Sequence, residues 1–226
     1  MVDGKMIKII YEDNHLLVVE KPCNMLVQKD DTNDEDLLSL LKNYLKKKYQ
    51  KPGNVYLGLV HRLDRPVGGV MVFAKTSKAA SRLSDMIRTH DFTKVYYAVV
   101  VGRMDPKDVW EDYLLKLDNN KTVIDPSGKY SKLDYELLEY KNGLSLVKIN
   151  LHTGRSHQIR VQFSSRNHPL WGDQKYNATA VKREQIALWA VSLSFKHPVT
   201  KEIMNFKSMP NVNLKPWCNF AKNYYE

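Results

Sequence analysis

The first of three polar clusters in the sequence sets one carboxylate between two guanidinium groups. It reads His61-Arg62-Leu63-Asp64-Arg65-Pro66-Val67-Gly68-Gly69. Arginines that face an acid favour its charged form, so an ionised Asp64 would be a usable nucleophile or base. The two glycines let the backbone approach a ligand closely. A structural salt bridge on a turn is the alternative interpretation, and this cluster by itself does not decide between the two.

The second cluster, Lys94-Val95-Tyr96-Tyr97-Ala98, lies in a predicted strand. Successive side chains of a strand point to opposite faces, so Lys94 and Tyr96 share one face while Tyr97 takes the other. One tyrosine can therefore face a cleft while its neighbour faces the core. Ordinary sheet packing explains either tyrosine equally well, because tyrosine is common in strands.

The third cluster, Thr153-Gly154-Arg155-Ser156-His157-Gln158-Ile159-Arg160, leads into a predicted short helix that continues through Phe163. Its side chains could donate hydrogen bonds to phosphates or to a carboxylate. A solvated basic face is the alternative. His61 and His157 suggest a metal at first, but neither lies in a ligand-like spacing such as His-x-x-x-His, and the two cysteines form no Cys-x-x-Cys pair, so we predict no metal site.

Charge indicates the kind of partner. Among 226 residues, 35 lysines and arginines face 25 acidic residues, which gives a net charge of +10. Such an excess attracts polyanions and makes nucleic acid the leading candidate. No apolar run approaches the roughly 20 residues of a membrane helix, and no signal peptide is apparent. With Cys23 and Cys218 as the only cysteines, we expect a cytoplasmic protein that does not bind a membrane.

Apolar periodicity predicts the elements that position these clusters. One amphipathic helix is predicted from Asp36 to Tyr49 and a second over Ser77–His90, capped by Ser77. Strands are predicted at Ile7–Tyr11, Leu16–Val19, Tyr56–Val60, Gly69–Ala74, Lys94–Val101, Tyr113–Leu117, Leu133–Tyr140, Leu144–Leu151, Ile186–Phe195 and Ile203–Phe206. Hairpins dominate, with Asn142-Gly143 the strongest turn signal. We therefore expect an α+β fold, in which a largely antiparallel mixed sheet carries flanking helices. Neither repeats nor a linker divide the chain, which predicts a single domain over residues 1–226.

In this order, the three clusters resemble the signatures of the RluA-type pseudouridine synthases. The matching segments are His61 to Arg65, Lys94-x-Tyr96-x-Ala98 and Gly154 to Arg160. Further similar segments are Pro169-Leu170-Trp171-Gly172-Asp173 with Tyr176, and Leu188-Trp189-Ala190 leading to His197-Pro198. An ordered set of matches is far more specific than any single short motif.

The resemblance implies the pseudouridine synthase catalytic fold with a central RNA-binding cleft. The reaction isomerises uridine to pseudouridine in ribosomal or transfer RNA and needs neither cofactor nor metal. Asp64 is then the catalytic carboxylate, acting at ribose C1′ or on the 2′ proton. Tyr96 stacks on the flipped uracil, and Arg160 pairs with Asp64. The candidates for RNA contact are Arg62, Arg65, Lys94, Arg155, His157 and Gln158, and we expect a monomer.

Two departures accompany the resemblance. Pro66-Val67 stands where the family usually has hydroxyl residues. Many members of the family carry an N-terminal RNA-binding domain of the S4 type, and we expect this protein to be a catalytic domain without one. One alternative is therefore a catalytically inactive RNA-binding or ribosome-assembly protein with the same fold. A metal-independent hydrolase that uses Asp64 and His157 would instead release free uracil.

Overall fold

A computed structural model of the chain describes residues 7–32 and 34–225. The strands are β1 (Lys8–Glu12), β2 (Leu16–Lys21), β3 (Gly58–Leu59), β4 (Gly68–Ala74), β5 (Phe92–Val101), β6 (Lys107–Lys116), β7 (Thr122–Ile124), β8 (Lys129–Lys141), β9 (Leu144–Leu151), β10 (Leu188–Lys196) and β11 (Ile203–Lys207). The α-helices are α1 (Leu37–Lys48), α2 (Ser77–Arg88) and α3 (Gln158–Ser164), and 3₁₀ turns lie at Trp217–Asn219 and Lys222–Tyr225. The predicted α+β class, with a largely antiparallel sheet and flanking helices, is confirmed.

The chain divides into two compact units. The first contains the described residues up to Phe92 together with Ser192–Ser208, and the second contains Thr93–Val191 and the residues from Met209 onward. The prediction of one domain over residues 1–226 stays a prediction. None of the helices in the described part of the chain is long and apolar enough to cross a membrane.

In the first unit, β2 lies between β1 and β4, and β3 also pairs with β4, all antiparallel. The end of β10 forms the predicted hairpin with β11, with Ser192 opposite Lys207. A core of buried side chains from β2, β4 and α2 is closed by the stacked rings of Phe92 and Phe195. The predicted opening hairpin is therefore confirmed, and β2 leads from it directly to Lys21.

In the second unit, the antiparallel strand order is β5-β9-β8-β6-β7. The predicted Asn142-Gly143 turn joins β8 to β9, and both residues adopt positive φ, at 52° and 76°. Two consecutive positive φ angles are what a tight hairpin turn requires. Near the end of β5, Val99 belongs to a core cluster with Trp217 and Phe220. This core holds the strand that carries the second cluster.

Two predicted strands differ clearly from the structure in their bounds, and one strand was missed. The strand predicted at Tyr56–Val60 is ordered as a strand only at Gly58–Leu59. By contrast, β6 begins at Lys107, six residues before the predicted start, because its polar first half pairs with β8 while most of its side chains stay exposed. The short strand β7 was not predicted at all.

The cap of α2 was also wrong. Thr76 occupies the N-cap position and its side chain accepts a hydrogen bond from Ala79 N at 3.2 Å. Ser77, the predicted cap, is the first residue of the helix. Thr76 has the extended backbone of an N-cap residue, with φ of −137° and ψ of 151°, and its hydroxyl reaches the third amide of the helix.

Candidate active site

Asp64 lies on a tight turn between β3 and β4. Its carbonyl accepts a hydrogen bond from Val67 N at 3.0 Å, and its side chain is half-buried. Two residues after Val67, Gly69 adopts a φ of 127°, a backbone conformation that residues with a side chain rarely adopt. The chain can therefore turn sharply at Asp64 and enter the fully buried strand β4 within a few residues.

A buried lysine fixes this turn. Lys21, at the end of β2, is fully buried, and its ammonium donates to the carbonyls of Pro22 at 3.0 Å, Arg65 at 3.0 Å and Val67 at 2.7 Å. Burial lowers the pKa of Lys21 to about 8, against the opposing influences of Cys23 and Asp64. Two of the three carbonyls belong to the Asp64 turn, so Lys21 holds the backbone that carries the carboxylate.

The Pro66-Val67 departure has a physical explanation in this turn. The Val67 side chain is buried, where an apolar group is favoured over an unpaired hydroxyl. Its backbone supplies both hydrogen bonds of the position, donating to Asp64 O and accepting from Lys21. The turn is therefore held together without the family's usual hydroxyl groups.

The two arginines beside Asp64 have different surroundings. Arg65 forms an ion pair with Asp34 at 2.7 Å, with both side chains about half exposed. Arg62 is exposed and forms no ion pair with another residue of the described chain. The sequence suggested that both arginines could balance the charge of Asp64. In the first unit, however, the carboxylate that Arg65 pairs with is that of Asp34.

In the second unit, β5 shows the predicted alternation. Lys94 and Tyr96 are buried on one face, while Tyr97 is half-buried on the other, where its ring lies 6.3 Å from that of Tyr225. Burial lowers the pKa of Lys94 to about 8, and the positive charge of Arg155 lowers it further. The predicted alternation of faces along β5 is confirmed, and the base-stacking role of Tyr96 stays a prediction.

Arg160 lies on α3 and is buried. Its Nε donates to Asp173 Oδ2 at 2.8 Å and its Nη2 donates to Asp173 Oδ1 at 2.6 Å, a two-point ion pair. The guanidinium also lies over the Tyr176 ring, 5.2 Å from its centroid. A paired guanidinium of this kind is fixed in orientation as well as in charge. The predicted pair between Arg160 and Asp64 stays a prediction, and Asp173 is the partner that the sequence did not reveal.

His157 precedes α3 in a left-handed conformation with φ of 53°. Its Nδ1 lies 2.7 Å from the Tyr176 hydroxyl, which also accepts a hydrogen bond from Thr122 N at 2.8 Å. Burial raises the pKa of Tyr176, so this phenol stays protonated. His157 and Arg160 therefore meet at the same tyrosine.

Gln158 is buried and its polar atoms bind the protein itself. Its Oε1 accepts from Thr153 Oγ1 at 2.8 Å and from Arg155 N at 3.1 Å, and its Nε2 donates to Lys132 O at 3.1 Å. These bonds assign Gln158 to holding the loop before α3, and its proposed contact with RNA stays untested. The Arg155 side chain remains exposed, with its Nε donating to Tyr130 O at 2.8 Å.

The structure thus brings together Lys94 and Arg155, and separately Arg160, His157, Asp173 and Tyr176, within the second unit. Two features of the site were not predicted from the sequence: the role of Lys21 and the partnership of Asp173 with Arg160. The role of Lys21 could have been predicted from its position in the strand. It follows Leu17 and Val19 at alternate positions, so it lies on a buried face, where a lysine must find hydrogen-bond partners inside the protein. The described residues contain no group of three potential metal-ligating side chains.

Comparison with known proteins identifies the family. The model of the RNA pseudouridylate synthase family matches residues 15–165. The chain belongs to this family, and the resemblance to its RluA type is confirmed. It is similar to ribosomal large subunit pseudouridine synthase D of Yersinia pestis, with 33% identity over 208 residues that cover 84% of this chain and 63% of that protein. The protein of the same name from Vibrio cholerae is 33% identical over 217 residues, covering 88% of this chain and 66% of its own length. The chain thus spans slightly less than two thirds of these relatives.

Solved structures show the same fold. The human RNA pseudouridylate synthase domain containing 4 superimposes with a TM-score of 0.76 at 23% identity, covering 90% of this chain and 89% of that one. The human domain containing 1 gives 0.74 at 24% identity, with coverages of 96% and 89%. The pseudouridine synthase fold is therefore confirmed, while the central RNA-binding cleft stays a prediction.

Proposed function

We propose that this protein is an RNA pseudouridine synthase that isomerises uridine in large-subunit ribosomal RNA. The observation that carries the proposal is the family match over residues 15–165, together with relatives named for that activity on the large ribosomal subunit. Transfer RNA is the second candidate substrate, because a net charge of +10 suits any structured RNA. We further propose that it acts in the cytoplasm as a monomer.

The reaction rearranges bonds within one nucleotide. The bond between ribose C1′ and uracil N1 breaks, the sugar rejoins the base at C5, and the proton on C5 leaves while N1 gains one. No atom or electron is gained overall, so the protein has to supply positioning and proton transfer but no redox partner. The base must leave its stack before it can be turned over.

Asp64 is the group that we assign to the reacting sugar. Its carboxylate either adds to C1′ as uracil leaves or removes the 2′ proton to give a glycal. Both routes need an ionised acid in a fixed position. The turn held by Lys21 supports that assignment, because a backbone anchored at Arg65 and Val67 limits the movement of Asp64.

The other two catalytic assignments belong to the second unit. Tyr96 would stack on the flipped uracil and assist loss of the C5 proton. Arg160 would orient the catalytic carboxylate. Its two-point bond to Asp173 supports a fixed guanidinium, since a paired and buried arginine cannot rotate freely.

The test of this function uses RNA labelled with tritium at uracil C5. Large-subunit ribosomal RNA and transfer RNA, each transcribed in vitro, are incubated separately with the protein. Isomerisation releases tritium into water and leaves pseudouridine in the digested strand. We expect release from the ribosomal transcript.

Two other outcomes would contradict the proposal. Binding of both RNAs without tritium release would indicate an inactive RNA-binding protein. Release of free uracil, with an abasic sugar left in the strand, would indicate a hydrolase that uses Asp64 and His157.

A further inference from the structure

Lys94 is a buried cation that forms no ion pair with the described residues. Only 6% of its surface is exposed, yet no hydrogen bond or ion pair joins its ammonium to another residue within 7–32 and 34–225. Proteins rarely keep such a group, because an unpaired buried charge is costly. The charge of Arg155 acts on Lys94 and repels it. A binding partner that is absent from the folded chain would explain why both cations are retained.

The Lys94 ammonium remains reachable from the loop before α3. The unpartnered side-chain atoms that are fully sealed from solvent in the described chain are Asp36 Oδ2, Thr122 Oγ1 and Gln162 Oε1, and Lys94 Nζ is not one of them. A Cβ built on Gly154, which is exposed, would lie 3.5 Å from Nζ. The absence of a side chain at Gly154 therefore leaves room beside the ammonium.

The second cation, Arg155, is held in place by hydrogen bonds from its backbone and from its Nε atom. Arg155 Nε donates to Tyr130 O at 2.8 Å, and Arg155 N donates to Gln158 Oε1 at 3.1 Å. The terminal nitrogens of Arg155 form no hydrogen bond with the rest of the described chain, so they remain available as donors. The buried ammonium of Lys94 and the anchored guanidinium of Arg155 together match the charge and the several acceptor oxygens of a phosphate group.

We infer that Lys94 and Arg155 form a subsite for one phosphodiester group of the bound RNA strand. This inference deepens the proposed function and depends on it only for the identity of the polyanion. Lys94 supplies a desolvated charge, and Arg155 supplies planar donors from the surface. A single subsite of this kind fixes the register of the strand rather than reading its sequence.

The test couples a protein cation to one RNA charge. Binding is measured in the Asp64→Asn background, so that no turnover occurs, with an oligoadenylate that carries one central uridine. Each phosphodiester is replaced in turn by an uncharged methylphosphonate. We expect one linkage whose neutralisation weakens binding by about tenfold. Adding Lys94→Met should weaken binding of the all-phosphate strand by a similar factor and abolish the effect at that linkage.

Matched variants exclude a general loss of charge or fold. Lys148→Met removes a lysine from the opposite face of the same sheet, since Lys148 is the register partner of Tyr97, and it should leave the coupling intact. Gly154→Leu keeps both cations but covers Nζ, and it should reproduce the Lys94→Met result.

Melting temperature is measured for every variant. Lys94→Met should melt no lower than its parent, whereas a purely structural lysine would lower it. If Lys94→Met fails to fold, that structural role is established and the inference is wrong.

Three other results would also overturn the inference. In the first, methylphosphonate replacement weakens binding by the parent and by the Lys94→Met protein equally at every linkage, which would show that Lys94 contacts no specific phosphate. Saturable binding of inorganic phosphate that depends on Lys94, without coupling to any RNA linkage, would assign the site to a free anion. Undiminished binding by Gly154→Leu would place the ligand elsewhere. If the isomerase assay gives no product while Lys94 remains coupled to one RNA linkage, the proposed function is refuted and the phosphate subsite stands.

Discussion

Two buried lysines, Lys21 and Lys94, differ in what surrounds their ammonium groups. Lys21 donates to three backbone carbonyls, whereas Lys94 has no partner in the described chain and faces the charge of Arg155. Burial lowers the pKa of both to about 8. The same lowering of the pKa therefore accompanies a hydrogen-bonded ammonium in Lys21 and one without a partner in the described chain in Lys94. Mutation of each lysine should have a different effect on stability.

Replacement of Lys21 should destabilise the protein. Lys21→Met leaves the carbonyls of Pro22, Arg65 and Val67 without their donor, and we expect a loss of about 3 kcal/mol in the free energy of unfolding. Chemical denaturation measures this change, with exposed Lys8→Met as the control. An unchanged midpoint would show that the Asp64 turn does not depend on Lys21.

Replacement of Lys94 should change how stability depends on pH. Between pH 8 and 10.5 the unfolded chain keeps the Lys94 proton that the folded chain has released, so the contribution of Lys94 to wild-type stability rises with pH over this range. Lys94→Met lacks this contribution. The stability difference, wild type minus variant, should therefore grow by on the order of 3 kcal/mol across the window. A difference that stays flat or shrinks would contradict the assigned burial of the charge.

At the scale of elements, local patterns predicted most of what was found. The leucine stripe predicted α1, the Asn142-Gly143 pair predicted the β8–β9 hairpin, and alternation predicted the faces of β5. Lys21 bonds to residues 44 and 46 positions away, and Asp173 lies 13 positions from Arg160. A single sequence has no period that reports such contacts, because they arise from how the elements pack. The positioning residues of the site were missed for that reason.

The start of α2 offers a test of element-level assignment. Thr76→Ala removes the side chain that accepts from Ala79 N and should cost about 1 kcal/mol of stability. Ser77→Ala, at the first helical position, should cost much less. Thermal or urea unfolding of the two variants decides between the caps, and a larger loss for Ser77→Ala would restore the original sequence-based assignment.

At the scale of the whole molecule, the charge of +10 governs RNA affinity. Lysines and arginines that contact phosphates release counterions, so affinity should fall steeply with salt. We expect a loss of roughly three-hundredfold between 50 and 200 mM monovalent salt for a single strand that makes about six phosphate contacts. Filter binding or fluorescence anisotropy with the Asp64→Asn protein measures the slope. A flat response would indicate that the basic surface does not bind the RNA backbone.

Asp64 carries the central claim, because family membership by itself leaves open whether this chain turns over its RNA. The most direct measurement compares wild type with Asp64→Asn on the same ribosomal transcript, scoring pseudouridine in the digested RNA. Melting temperature and RNA affinity are measured beside it. We predict abundant pseudouridine from wild type and none from Asp64→Asn, with melting within a few degrees and binding retained. Pseudouridine formation by a folded Asp64→Asn protein would contradict the assignment of this carboxylate.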